Sequence, residues 1–157
     1  MSSVLPIVID VSVFADYYIL YPGKPERYER ARRVLEEISR LGLPVYEPFL
    51  FEIELRAVLV RRLSPRLVLE IVATVLSHVN IVEEREVHGR AAEIALTTGY
   101  RAVDAYYIAT AKHLNAMLIT NDKVMKENAA KANAEAYYLL DDNDYITLKN
   151  KLSKIIN

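Results

Sequence analysis

The chain has 157 residues, 52% of them hydrophobic, and a formal net charge of -1. That length suits one ordinary domain, expected over residues 1–157 and expected to bury roughly 68–70% of its unfolded surface. The near-neutral charge excludes a protein that coats nucleic acid or membrane by bulk electrostatics, and the lack of cysteine excludes disulfides and thiolate metal centres. No basic segment followed by an apolar stretch opens the chain, and no apolar run reaches the ~20 residues of a spanning helix. A cytoplasmic protein with no membrane partner is expected.

The first predicted strand is Val4 to Ile9, β-branched and apolar on both faces, as in a buried parallel sheet. Pro6 weakens it locally, because proline cannot donate to the ladder. A short helix follows from about Ser12 to Leu20, before the Tyr21-Pro22-Gly23 break. Tyr28, Ala31, Val34, Leu35, Ile38 and Leu41 recur at helical spacing and predict a helix over Glu26–Leu41, ended by Gly42. Leu43 to Tyr46 reads as the second strand, and Pro48 as the start of a helix running to about Leu63.

Ser64-Pro65 is a cap followed by proline at the first helical position, so another helix begins there. Val79–Val82 is a third strand. Helices are expected over Glu84–Thr98, ended by Gly99, and over Ala102–Leu114. Ala116 to Thr120 is a fourth strand, followed by a helix after Asn121-Asp122. Ala136–Leu139 is a possible fifth strand, and Tyr145–Ile156 a final amphipathic helix. Strands alternating with helices predict an α/β fold: a three-layer α/β/α sandwich around a parallel sheet of four or five strands.

In such sheets, ligands bind outside the carboxyl ends of the strands. The first strand ends at Asp10 and the fourth at Asn121-Asp122. For either acid alone, a helix N-cap is an equally good explanation. Two strand-end acids in one sheet favour a shared site. Glu54 lies on the rim of the apolar face formed by Leu50, Phe51, Leu55, Val58 and Leu59, and Glu52 lies on the opposite rim. A carboxylate near a buried face needs a metal ion or an ion pair, for example with Arg61. Asp104 shares a helix face with Tyr107, Ile108 and Ala111, although a first-turn acid also suits the helix dipole.

Oxygen-only ligands suit magnesium or manganese, and carboxylates holding such ions are common equipment for phosphodiester hydrolysis. The three histidines, His78, His88 and His113, show no metal-ligand spacing.

Four segments together resemble the PIN-domain nucleases, and among them the VapC-like toxins of toxin–antitoxin pairs. They are Val8-Ile9-Asp10-Val11-Ser12-Val13-Phe14; Pro48 to Leu59; Tyr100 to Ala111, with its Asp104-Ala105 pair; and Leu118-Ile119-Thr120-Asn121-Asp122. Order and spacing agree over roughly residues 4–140. Aligning Val58-Leu59 and Arg61-Arg62 favours Glu54 as the family's second acid, with Glu52 in reserve.

The resemblance implies a Mg2+- or Mn2+-dependent endoribonuclease acting on single-stranded RNA, a homodimer, and a cognate antitoxin. The expected ligands are Asp10, Asp104 and Asp122, with Glu54 completing the shell or orienting water. Ser12, Thr120 and Asn121 are expected to support them or to cap and shape the turns. Arg56, Arg61 and Arg62 are candidates for phosphate contact, or else a solvated salt-bridged face.

The rival reading is a non-catalytic PIN-like module that binds RNA or protein. A haloacid-dehalogenase-like phosphatase would need a second aspartate where Ser12 stands. A dinucleotide enzyme would need a glycine-rich loop after the first strand, and the chain has four glycines in all.

Overall fold

A computed structural model describes residues 4–155. Among them are five strands, β1 (Ile7–Ile9), β2 (Val45–Pro48), β3 (Val79–Val82), β4 (Met117–Thr120) and β5 (Ala136–Tyr138). They form one parallel sheet in the order β3-β2-β1-β4-β5. The flanking helices are α1 (Val11–Tyr18), α2 (Pro25–Arg40), α3 (Phe51–Leu59), α4 (Pro65–Leu76), α5 (Glu84–Thr98), α6 (Ala102–Leu114), α7 (Lys123–Lys131) and α8 (Asp142–Ser153). The expected three-layer α/β architecture is therefore found, with the fifth strand present.

The two central strands are buried on both faces, which is why Ile7-Val8-Ile9 and Met117-Leu118-Ile119 are continuous apolar runs. At the sheet edge, β3 alternates less cleanly and exposes Ile81. Helix α6 packs against β1, β2 and β4, and its Tyr107 and Ile108 are wholly buried. Phe51, Leu55 and Leu59 give α3 a buried stripe, and Phe51 meets Phe14 of α1 edge-to-face with ring centroids 5.5 Å apart. No helix among the described residues is long and apolar enough to cross a membrane.

Several boundaries follow local chemistry. Gly42 takes φ 64° after α2; its N–H donates to Ser39 O at 3.0 Å and Leu43 N–H donates to Ile38 O at 3.2 Å. These are the two bonds of a Schellman ending, which requires a residue free to adopt positive φ. Ser64 caps α4, its hydroxyl accepting from Leu67 N–H at 3.3 Å.

The first strand is shorter than expected and starts at Ile7, after Pro6. The expected end of the last helix, Ile156, lies outside the described residues. That helix starts earlier than expected, because Asp141 caps it and accepts from Asp144 N–H at 2.9 Å.

The larger correction concerns Pro48. It closes β2, pairing with Val82, instead of opening a helix. A final strand position tolerates a residue without an N–H, so the strand runs two residues beyond Tyr46 and α3 begins only at Phe51. The shift places Glu47 inside the sheet, with no exposed surface. Its Oε1 accepts from Ile9 N–H at 3.1 Å, while Oε2 is buried with no partner among the described residues. Burial pushes this carboxyl well above the usual range; the Ile9 N–H opposes the rise, and the charges of Asp10 and Glu54 add to it.

A folded pKa above the unfolded one means that Glu47 favours folding while protonated, and that this contribution is lost as pH rises through the raised value. Glu47→Gln keeps an acceptor for Ile9 and removes the acid. Urea unfolding from about pH 5 to about pH 8 is expected to show the wild type losing stability relative to Glu47→Gln. Parallel pH profiles for the two proteins would contradict this account.

Candidate metal centre

The sheet order puts β1 between β2 and β4, so the chain leaves the first strand in one direction and later returns to its other side. Crevices form at the carboxyl ends of strands at such a reversal. Here Asp10, Glu54, Asp104 and Asp122 line one pocket of about 220 Å³. The structure thus brings together the four acids singled out in the sequence.

Asp10 follows β1 and is 5% exposed. It stands at the N-cap position of α1, yet its side chain makes no capping bond. Instead Oδ2 accepts from Ser12 Oγ at 2.7 Å and from Thr120 Oγ1 at 2.8 Å. The same hydroxyls are tied to the strand end of β4: Ser12 Oγ accepts from Asn121 N–H at 2.9 Å, and Thr120 Oγ1 from Asp122 N–H at 2.9 Å. Both hydroxyls act on one oxygen of Asp10. Burial raises the carboxyl pKa, the two hydroxyl bonds lower it, the Asp122 charge raises it again, and the Ser12 backbone N–H lowers it.

Glu54 is half-buried on α3, and its Oε2 accepts from Tyr107 Oη at 2.8 Å. Burial raises its pKa to about 7; the Tyr107 bond opposes this, and the charges of Asp10 and Asp104 add to it. Glu52 points elsewhere, pairing with Arg56 at 2.5 Å, so Glu54 is the acid in the pocket.

Asp104, 3% exposed in the first turn of α6, accepts from Arg101 Nε at 2.9 Å. Burial lifts its pKa to about 6 against the opposing effect of Arg101. Asp122 does cap α7, its Oδ1 accepting from Val124 N–H at 2.8 Å and Met125 N–H at 3.3 Å. Its Oδ2 lies 3.7 Å from Arg101 Nη2. Capping and pocket lining are therefore compatible roles for one residue, carried by different oxygens.

Several neighbours escaped the sequence analysis. Arg101 sits against two of the acids, although it is flagged in sequence only as part of a motif. Glu47 lies behind Asp10 and Glu54, and strand-end logic would have found it had β2 been extended to Pro48. Asp16, Arg27 and Tyr21 also line the pocket. Asp16 is an acid on the buried side of α1, a signal available from periodicity. Of the candidate arginines, Arg56 is paired with Glu52, Arg61 is exposed outside the pocket, and Arg62 lies near Tyr21.

The donor set consists of carboxylate oxygens, the chemistry that magnesium and manganese prefer. Crowded carboxylates with raised pKa values fit a divalent cation. Among the described residues, however, no three acidic or histidine side chains are turned so as to hold one ion together. Two of the acids are turned toward Arg101 and one toward Tyr107.

The sequence profile of the PIN domain family matches residues 7–131, which includes all four acids. No curated protein sequence matches the chain. Among solved structures, a chain of FitAcB from Neisseria gonorrhoeae is 22% identical with a TM-score of 0.61, covering 85% of this chain and 98% of that one. A chain of VapBC-1 from nontypeable Haemophilus influenzae gives 14% identity and 0.65, covering 87% and 100%. PAE2754 from Pyrobaculum aerophilum gives 16% and 0.63, covering 98% and 99%. At these identities the structural likeness shows the fold, while the profile match over most of the chain shows the family: this protein belongs to the PIN domain family.

Proposed function

We propose that the chain is a metal-dependent endoribonuclease that hydrolyses phosphodiester bonds of single-stranded RNA. The observation that carries this reading is the convergence of Asp10, Glu54, Asp104 and Asp122 on one pocket at the carboxyl edge of the sheet. Family membership supports it. The likeness to chains of FitAcB and VapBC-1 supports a narrower reading, the toxin component of a toxin–antitoxin module, working as a homodimer and held by an antitoxin protein.

In this mechanism Asp10, Asp104 and Asp122 would hold Mg2+ or Mn2+, with Glu54 completing the set. When bound, the cation supplies Lewis-acid polarisation of the phosphate and activation of the attacking water. Ser12 and Thr120 fix Asp10 through Oδ2. Glu54, with a pKa of about 7, is placed to accept a proton from water at the pocket wall. Tyr107 orients it by donating to Oε2. Arg101 neutralises Asp104 and Asp122 and lies at the mouth of the pocket, where an incoming phosphate competes with them for its donors.

A second reading has one observation in its favour: Arg101 supplies the positive charge that a cation would otherwise supply, and no three side chains are turned to hold an ion. On that reading the chain is a non-catalytic module that binds RNA or protein.

Cleavage separates the two. Wild-type protein with manganese is expected to cut single-stranded RNA; Asp10→Asn and Asp104→Asn are each expected to lower the rate by roughly a hundredfold or more, and chelator to abolish it. Cleavage that survives chelator would refute the metal mechanism, and no cleavage by wild type would favour the binding module.

Stability gives a second test. The folded pKa values of Glu54 and Asp104 are raised, so their contribution to stability is present at low pH and is lost as pH rises through about 6 to 7. Chelated protein is expected to unfold at lower temperature near pH 8 than near pH 5, and added manganese to restore stability mainly at the higher pH. An equal response to manganese at both pH values would count against cation binding by these acids.

A further inference from the structure

The acid pocket has a second wall with different chemistry. Tyr21, on the segment joining α1 to α2, and Arg27, in the first turn of α2, line the pocket together with the carboxylates. Arg27 Cζ lies 5.3 Å from the Tyr21 ring centroid, and Arg62 Cζ lies 6.0 Å from the same centroid. Two guanidinium groups thus lie near one aromatic ring beside the acids.

Arg27 is held in place from below. Its Nε donates to Asp16 Oδ1 at 2.9 Å, and Asp16 is 1% exposed. The other oxygen, Asp16 Oδ2, accepts from Asn121 Nδ2 at 2.6 Å. A buried carboxylate bonded at both oxygens thus anchors Arg27 through its Nε. Among the described residues, neither Nη group of Arg27 has an acceptor. Arg62 is exposed and has no carboxylate partner among them, so it contributes net positive charge. Asp16 cancels the net charge of Arg27, which therefore contributes oriented donors instead.

We infer that Tyr21, Arg27 and Arg62 form a nucleotide subsite that holds the residue of single-stranded RNA next to the scissile phosphate. The base stacks on Tyr21, and the phosphate takes the free Arg27 donors and the Arg62 charge. This inference rests on the ribonuclease reading of the acid pocket and deepens it. A polyanion is repelled by four carboxylates, so a cationic anchor beside them gives the strand a reason to lie across the pocket. Asn121 acts here as a positioning residue: it joins the Asp122 turn to Asp16 and so sets the anchor relative to the acids.

The test uses Asp10→Asn protein, so that RNA is held and not cut. Binding of a fluorescein-labelled, mixed-sequence twelve-nucleotide RNA is followed by anisotropy at several salt concentrations. Adding Tyr21→Leu is expected to weaken binding roughly tenfold with the salt slope unchanged, and Tyr21→Phe to keep binding intact. Adding Arg62→Gln is expected to weaken binding and reduce the salt slope by about 1. Adding Arg27→Gln is expected to weaken binding as Tyr21→Leu does. Arg85→Gln removes an exposed charge outside the pocket that is paired with Glu83, and serves as the comparison.

Tyr21 is partly buried against the core, so the thermal unfolding of every variant is recorded; Tyr21→Phe, which keeps the ring, and the exposed Arg62→Gln test the subsite even where Arg27→Gln perturbs folding by stranding Asp16. Unchanged binding on Tyr21→Leu and Arg62→Gln overturns the inference, as does absence of RNA binding by the Asp10→Asn protein. Cleavage by wild type, measured separately, decides the ribonuclease reading by itself; a cutting enzyme with an indifferent Tyr21 loses only the subsite.

Discussion

The cost of desolvating carboxylates crowded at one sheet edge is the constraint on which the rest of the site depends. Asp10, Glu54 and Asp104 all have raised pKa values, and burial is the largest cause for each. A cluster of this kind persists in a fold only when each member has its own compensation. Asp10 has two hydroxyls on one oxygen, Glu54 has the Tyr107 hydroxyl, Asp104 has Arg101, and Asp122 has two backbone amides of α7. The surroundings of the pocket are thus shaped by keeping these groups close together as much as by apolar packing.

Much of this was legible in the sequence because it follows from periodicity. Continuous apolar runs marked β1 and β4, and their terminal acids marked the edge where a ligand binds. Helical spacing put Glu54 on the rim of its apolar face and Asp104 on the inner side of α6. What stayed hidden depended on tertiary neighbours. Pro48 carries both a strand-end and a helix-start signal, and only pairing with β3 decides between them. Glu47 vanished from view with that choice. Asp16 and Arg27 are 11 residues apart across a turn, and no local pattern announces that a buried acid on one helix orients a guanidinium on the next.

Arg101 shows how one residue can be read in two directions. It lowers the electrostatic cost of Asp104 and Asp122 in the absence of other cations, and it occupies donors those acids would otherwise turn inward. Its side chain is 68% exposed, so its replacement by a better-placed charge requires no rearrangement of the core. The arginine is therefore a movable counter-ion, whereas the Ser12 and Thr120 hydroxyls are fixed, uncharged donors.

The strand order has a consequence for the timing of synthesis. β1 precedes the residues that complete its support, Thr120 at the end of β4 and Asp122 just beyond it, by more than a hundred positions. Contacts of such sequence separation form late, because the intervening chain must first be ordered. A nascent chain still on the ribosome before residue 117 has Asp10 without its β4 clamp and lacks one acid altogether. The acids therefore come together only after β4 and the Asp122 turn have been translated, more than a hundred residues after Asp10.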